Sequence, residues 1–151
     1  MTPNELDRRL DNVISDLESG AYAQVMMSVA LAALSKIRSR VQESGTDASG
    51  SKYREYSESY KKQKIAAGKY KGYVDFSFTN RMWNNINLKS DTSQLATGVA
   101  VVAPTTPEDK KKLHKNVIRR GAILEVSDSE EEELVDIYND ELLQIFRRNG
   151  L

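Results

Sequence analysis

Val74-Asp75-Phe76-Ser77-Phe78-Thr79-Asn80-Arg81-Met82-Trp83-Asn84-Asn85-Ile86 is the stretch on which the fold turns. Its first five residues alternate apolar and polar, the period-2 pattern of a short strand or extended segment. Thr79-Asn80 then offers a cap for a short helix that carries Met82, Trp83 and Ile86 on one side. A hairpin follows, with Ile86, Leu88 and Ser90 on one strand, Asp91-Thr92-Ser93 as the turn, and Leu95 to Ala103 returning. Val99, Val101 and Ala103 alternate with Gly98, Ala100 and Val102, so both faces of the return strand are apolar and need cover.

Long helical patterns flank this region on both sides. Toward the N-terminus, Thr2-Pro3-Asn4-Glu5 is a helix start, with Pro early and an acid in the first turn. Leu6, Leu10, Val13, Ile14 and Leu17 share one helical face. Ser19-Gly20 interrupts the pattern, which resumes through Val25, Met26, Val29, Ala30, Ala33, Leu34, Ile37 and Val41. Either one kinked helix or two helices joined at Gly20 satisfies it, since Gly inside a helix costs only about 1 kcal/mol against Ala. Toward the C-terminus, Pro104-Thr105-Thr106-Pro107-Glu108 opens a basic helix that runs to about Arg120, where Gly121 stops it. Ser127 caps the last helix, and Glu130 completes a capping box. Leu134, Ile137, Tyr138, Leu142, Ile145 and Phe146 form that helix's buried face.

The class expected is therefore α+β: a long N-terminal amphipathic helix and a C-terminal helix packed on a small antiparallel β-sheet, with an extended loop or arm. One domain spans 1–151, in four parts. These are an N-terminal helical region (1–42), a mobile loop and arm (43–72), the extended segment with short helix and hairpin (73–103), and two C-terminal helices (104–151). Residues 43–52 are a polar loop rich in Gly and Ser. Lys52 to Lys64 is helix-compatible, with Tyr53, Tyr56 and Tyr60 as its only large apolar groups.

The 151 residues include no Cys and one His. Disulfide scaffolds, thiol catalysis, thiolate zinc sites and multi-histidine metal sites are thereby excluded. The longest apolar run, Val25 to Leu34, is interrupted by Ser28 and is short of the ~20 residues that cross a bilayer. The N-terminus is polar, unlike a signal peptide, and a soluble, cytoplasmically made domain is expected. Twenty-two basic residues balance 22 acidic ones, but not locally. Residues 1–51 carry net −2, 52–72 net +5, 73–120 net +4 and 121–151 net −7. A nucleic-acid module is expected to be basic as a whole. Opposite signs in separate segments suit docking of one subunit's acidic element on a neighbour's basic element.

Catalytic patterns fail on their required context. Gly45 to Lys52 nearly matches a phosphate-binding loop, but Lys52 is displaced by one residue and a helix precedes the loop where a strand is needed. Tyr60 and Lys64 have the YxxxK spacing of short-chain dehydrogenases without an upstream glycine-rich turn. Glu130 to Glu133, with Asp128 and Asp136, splay around a helix rather than converging on a cation. His114 lies in a lysine run with no partner placed by sequence. No catalytic residue, metal ligand or cofactor is expected.

The order of features resembles the phage tail-completion, or head–tail joining (neck), proteins. Val74 to Ile86 fits their central "VDLTLTGxMxxSI" phrase, with Asn80 in place of the usual Gly, and Arg120-Gly121-Ala122-Ile123-Leu124-Glu125-Val126-Ser127 fits their closing phrase. The His and Gly common before the last helix are replaced by the lysine-rich 110–115 stretch. The resemblance covers about residues 50–150. It implies a non-enzymatic virion protein, made in the bacterial host cytoplasm, that forms a ring, commonly six-fold, at the head–tail junction. The partners it implies are other copies of the chain, the portal–adaptor layer, and the tail-tube or tail-terminator proteins. Membrane has no part, and DNA is met only as it passes through the ring. Tyr53, Arg54, Tyr56, Tyr60 and Lys64 are expected to form an arm contacting a neighbour or the adaptor. Glu131, Glu132 and Asp136 are expected to meet basic residues across subunits. Phe76, Phe78, Met82, Trp83 and Ile86 are assigned to a core anchor. The alternative is a small nucleic-acid-binding module that uses the Tyr/Lys-rich segment 52–73, since single strands bind by stacking plus phosphate contacts.

Overall fold

The computed structural model describes residues 1–77, 79–91 and 99–151, and the side chains of all of these except 89–91 and 99–102. Phe78, the expected turn at Thr92-Ser93, and the return from Leu95 to Gly98 lie outside the described residues. So do the side chains of Val99 to Val102, on which the two-sided strand rests. Most of the described residues are helical and a two-stranded antiparallel sheet supplies the β part, so the coarse α+β class holds. The order is α1 (Pro3–Asp16), a π-helical turn (Leu17–Ala21), α2 (Tyr22–Ser44), α3 (Glu58–Ala66), α4 (Arg81–Asn84), β1 (Ile86–Asp91), β2 (Val99–Pro104), α5 (Pro107–Arg120) and α6 (Asp128–Arg148).

Local chemistry sets these boundaries. Thr2 Oγ1 accepts from Glu5 N while the Glu5 carboxylate accepts from Thr2 N, each at 3.3 Å, closing a capping box on α1. Gly20 adopts φ 114°, ψ 0°, a conformation that L side chains resist, so the break between α1 and α2 falls there. Thr106 caps α5, accepting from Asp109 N at 3.2 Å, and Gly121 at φ 89° ends it. Ser127 and Glu130 close the second capping box at 3.3 and 2.8 Å.

Residues 74–77 of the expected extended segment differ from a ladder strand. Phe76 has φ 51°, so the chain turns there, and the N–H groups of Asp75 and Phe76 donate to the Tyr56 hydroxyl at 3.2 and 2.9 Å. A side chain from the preceding segment thus takes the place of a strand partner. Asn80 is left-handed at φ 57° and accepts from Gln42 Nε2 at 3.0 Å rather than capping α4.

The chain divides into two compact units. Unit 1 comprises Met1–Ala32, Leu88–Val101 and Glu132–Leu151. Its core is Val13, Val25 and Ile145, with Leu17, Tyr138, Leu142 and Phe146 packed against them. Polar pins hold its ends: Arg148 and Asn149 meet Asp16 at 3.0 and 2.8 Å, Arg9 donates to the Gly150 carbonyl, and the Tyr22 and Tyr138 hydroxyls are 3.2 Å apart. The apolar face expected on α1 is largely uncovered, because Val13 alone of that face is buried. The span Pro3–Ser44 also holds an 18-residue window of mean hydropathy 1.3, long and apolar enough to cross a membrane by length and composition, with 17% of it buried. Counting only uninterrupted apolar residues missed this window.

Unit 2 comprises Ala33–Asn87 and Val102–Glu131. Ile37 and Val41 of α2, Tyr53, Tyr56, Val74, Met82, Trp83, Ile86 and Ile123 form its core. Ile86 is the strand's contribution; loops and helices supply the rest. The 43–52 loop is a compact turn in which Asp47 Oδ1 accepts from Ser49 N and Ser51 N at 3.0 and 2.9 Å. At Gly45, φ is 67° and a Cβ would fall 2.5 Å from Cδ2 of Tyr73. Gly45→Ala is therefore expected to cost about 2 kcal/mol through overpacking and a disfavoured backbone, read as a lower urea midpoint at unchanged m-value. Unchanged stability would show that Tyr73 yields freely.

Candidate functional site

Lys64, on α3, and Asp75 are each fully buried, and the Lys64 ammonium donates to Asp75 Oδ1 and to the Ser77 carbonyl, both at 2.5 Å. Tyr56 OH also donates to Oδ1, at 3.0 Å, while Ser77 Oγ donates to Oδ2 at 2.5 Å. Trp83 Nε1 donates to the Asp75 carbonyl at 3.3 Å. Burial pushes the Asp75 carboxyl up, but hydrogen bonds from Lys64 and Ser77 and the Lys64 charge together hold it below the usual carboxylate range. The Tyr56 phenol is pushed up, chiefly by burial and then by the Asp75 charge. Lys64 reaches no solvent, and the Asp75 oxygens are occupied by donors from the chain itself. The cluster is a buried pin, and a cavity of about 430 Å³ lined by Gln42, Lys71, Asp75, Ser77 and Asn80 lies beside it.

The pin corrects the expectation of a loose arm. Tyr53 and Tyr56 are 6% and 8% exposed, and Tyr60 packs against the same core. Lys is rarely buried unless paired, and here Asp75 is the pair. Of the five arm residues, only Arg54 is exposed. Phe76 packs on the core edge-to-face with Tyr53 at 4.8 Å, and Met82, Trp83 and Ile86 lie inside it.

Beside the pin, unit 2 opens into a cavity of about 400 Å³ lined by Tyr56, Tyr60, Phe76, Arg81, Lys112, Asn116, Arg119 and Arg120. A second, of about 460 Å³, shares Tyr56, Arg119 and Arg120 and adds Arg54, Glu55 and Glu58. Arg120 is held by neutral acceptors alone: the Arg54 carbonyl at 2.9 Å, Asn116 Oδ1 at 2.9 Å and the Glu55 carbonyl at 3.5 Å. Its guanidinium lies 5.3 Å from the Tyr56 ring centre and 5.9 Å from that of Phe76. Burial lowers its pKa, and the neighbouring Arg119 and Arg54 charges lower it further, against Tyr56 and Glu55, which raise it. Arg81 and Lys112 are instead neutralised, chiefly by Glu108 at 2.7 and 3.7 Å. The arrangement can bind a carboxylate or other anion. The basic character of this region is legible in the sequence, whereas the convergence of Arg54 with Arg119 and Arg120, 65 and 66 positions away, is tertiary.

The acidic start of α6 splits in two. Glu130 is buried, accepting from Arg40 Nε at 2.8 Å; burial raises its carboxyl, but the Arg40 and Ser127 hydrogen bonds hold it low. Glu131, Glu132 and Asp136 are exposed. Among the described residues there is no group of three or more His, Cys, Asp and Glu able to hold a metal. No protein-family model, curated protein or solved structure matches this chain.

Proposed function

We propose that the chain is a structural subunit of a tailed-phage virion that assembles as a ring at the head–tail junction, joining portal–adaptor to tail, and that it catalyses no reaction. One observation carries this reading. Unit 1 leaves Leu6, Leu10, Ile14, Leu31, Val135 and Leu143 between 38% and 60% exposed around a core of Val13, Val25 and Ile145. Leu6, Leu10 and Ile14 lie four apart on one face of α1, and exposed apolar surface of that kind marks a site of protein or membrane interaction. The resemblance of Val74–Ile86 to the neck-protein phrase supplies the kind of assembly, and the buried Lys64–Asp75 pin accounts for the conspicuous polar residues in that phrase without chemistry. A strand-binding module would need its tyrosines free for stacking, and Tyr53 and Tyr56 are inside the core.

Deletion of the gene from its phage tests the reading. The expected products are DNA-filled heads and separate finished tails, which purified protein joins in vitro. Joined, infectious particles from the deletion would overturn it. Flotation of the purified chain with lipid vesicles would instead assign the apolar α1–α2 span to a membrane.

A further inference from the structure

We propose that the cleft of Arg54, Arg119 and Arg120 is the socket for the acidic first turns of α6, at Glu131, Glu132 and Asp136, of a second copy of this chain; the proposal rests on the ring reading above. The socket carries cationic charge that its own subunit leaves unmatched. Arg120 is half-buried on backbone carbonyls, an amide and aromatic rings, with no carboxylate, and like charges from Arg119 and Arg54 bear on it. Of the two acids on that rim, Glu55 is engaged by Tyr70 at 2.6 Å and Lys61 at 3.5 Å, and Glu58 makes no ion pair with the arginines among the described residues.

The plug has the opposite surplus. Glu130 is drawn inward to Arg40, while Glu131, Glu132 and Asp136 face solvent without an ion pair among the described residues. Glu132 and Asp136 are four residues apart and share a helix face, so one face presents two carboxylates. Socket and plug are different patches of one chain, and such heterologous contacts generate rings when the rotation closes. Guanidiniums partly removed from water bind carboxylates through paired N–H donors. A phosphate backbone would call for a basic excess over the whole chain, and the net charge here is zero.

Sedimentation velocity at about 50 mM salt, where exposed charges are weakly screened, tests the pairing. R54E/R119E and E131R/E132R are each expected to weaken assembly at least about tenfold, with unchanged far-UV circular dichroism and tryptophan emission. The chain carrying all four substitutions is expected to assemble again, because attraction is restored with its signs exchanged. Arg120 is left alone because it is built into the core. Wild-type assembly that none of the variants alters would overturn the socket and leave the ring reading standing. Failure of the fourfold variant to recover would also overturn the socket. A wild-type chain that stays monomeric at every concentration and salt would overturn both. Duplex or single-stranded DNA binding that R54E/R119E abolishes while assembly persists would reassign the cleft to nucleic acid.

Discussion

Lys64→Met is expected to destabilise the protein by about 3–5 kcal/mol, because it strands one member of a buried ion pair. The side chain removed is fully buried and donates at 2.5 Å to both Asp75 and the Ser77 carbonyl. The Asp75 side chain is fully buried, while Ser77 is only half-buried. A midpoint lower by about 10 °C should follow for a chain of this size. Asp75→Asn strands the ammonium instead, and the double variant should lose less than the sum of the two, since partners in one network are not additive. The pH dependence has a definite sign. Asp75's carboxyl is held below its unfolded value, so its stabilisation is full above about pH 4 and is lost as pH falls through the lowered value. In Lys64→Met the buried carboxylate keeps only the half-exposed Lys71 ammonium, 3.9 Å from Oδ2, in place of its buried partner, which raises it and makes acid relatively favourable to the variant. The gap between wild type and variant should therefore narrow between pH 7 and pH 3. A gap independent of pH would remove the ion-pair account.

That pin also shows what the sequence could and could not disclose. Caps, breaks and stops depend on neighbours along the chain, and Thr2, Gly20, Thr106, Gly121 and the Ser127–Glu130 box act where the residue types suggest. The basic–aromatic segment 52–64 was misplaced because composition says what a stretch is made of, not what it meets. Its one useful signal was spacing: Tyr60 and Lys64 lie four apart on α3, so a lysine sits on the helix's aromatic face. A lysine there calls for a buried acid, and Asp75, flanked by Val74 and Phe76, is the acid in the most apolar setting nearby. Phe76's positive φ had no such signal, since only the Tyr56 hydroxyl makes the turn possible. The arginine cleft was likewise illegible, because it joins residues from the segment before α3 to the end of α5.

Trp83→Ala should approach Lys64→Met in cost, at about 3–5 kcal/mol for emptying a fully packed aromatic site. Trp83 is 2% exposed, among the largest fully buried side chains. Its indole donates to the Asp75 carbonyl at 3.3 Å, so its loss both opens a cavity and frees an acceptor beside the pin. Trp83→Phe separates these effects. It keeps most of the ring volume and removes the donor, for an expected loss of about 1–2 kcal/mol. The readout is chemical denaturation followed by circular dichroism, because Trp83 is the only tryptophan and its variants lose tryptophan emission. Equal costs for the two variants would place the energy in the hydrogen bond rather than in packing. The consequence reaches the cleft, since Arg120 is held against the rings of Tyr56 and Phe76, which pack in the core that Trp83 fills. Trp83→Phe should then retain assembly at low salt, while Trp83→Ala loses it at temperatures where the wild-type chain still associates.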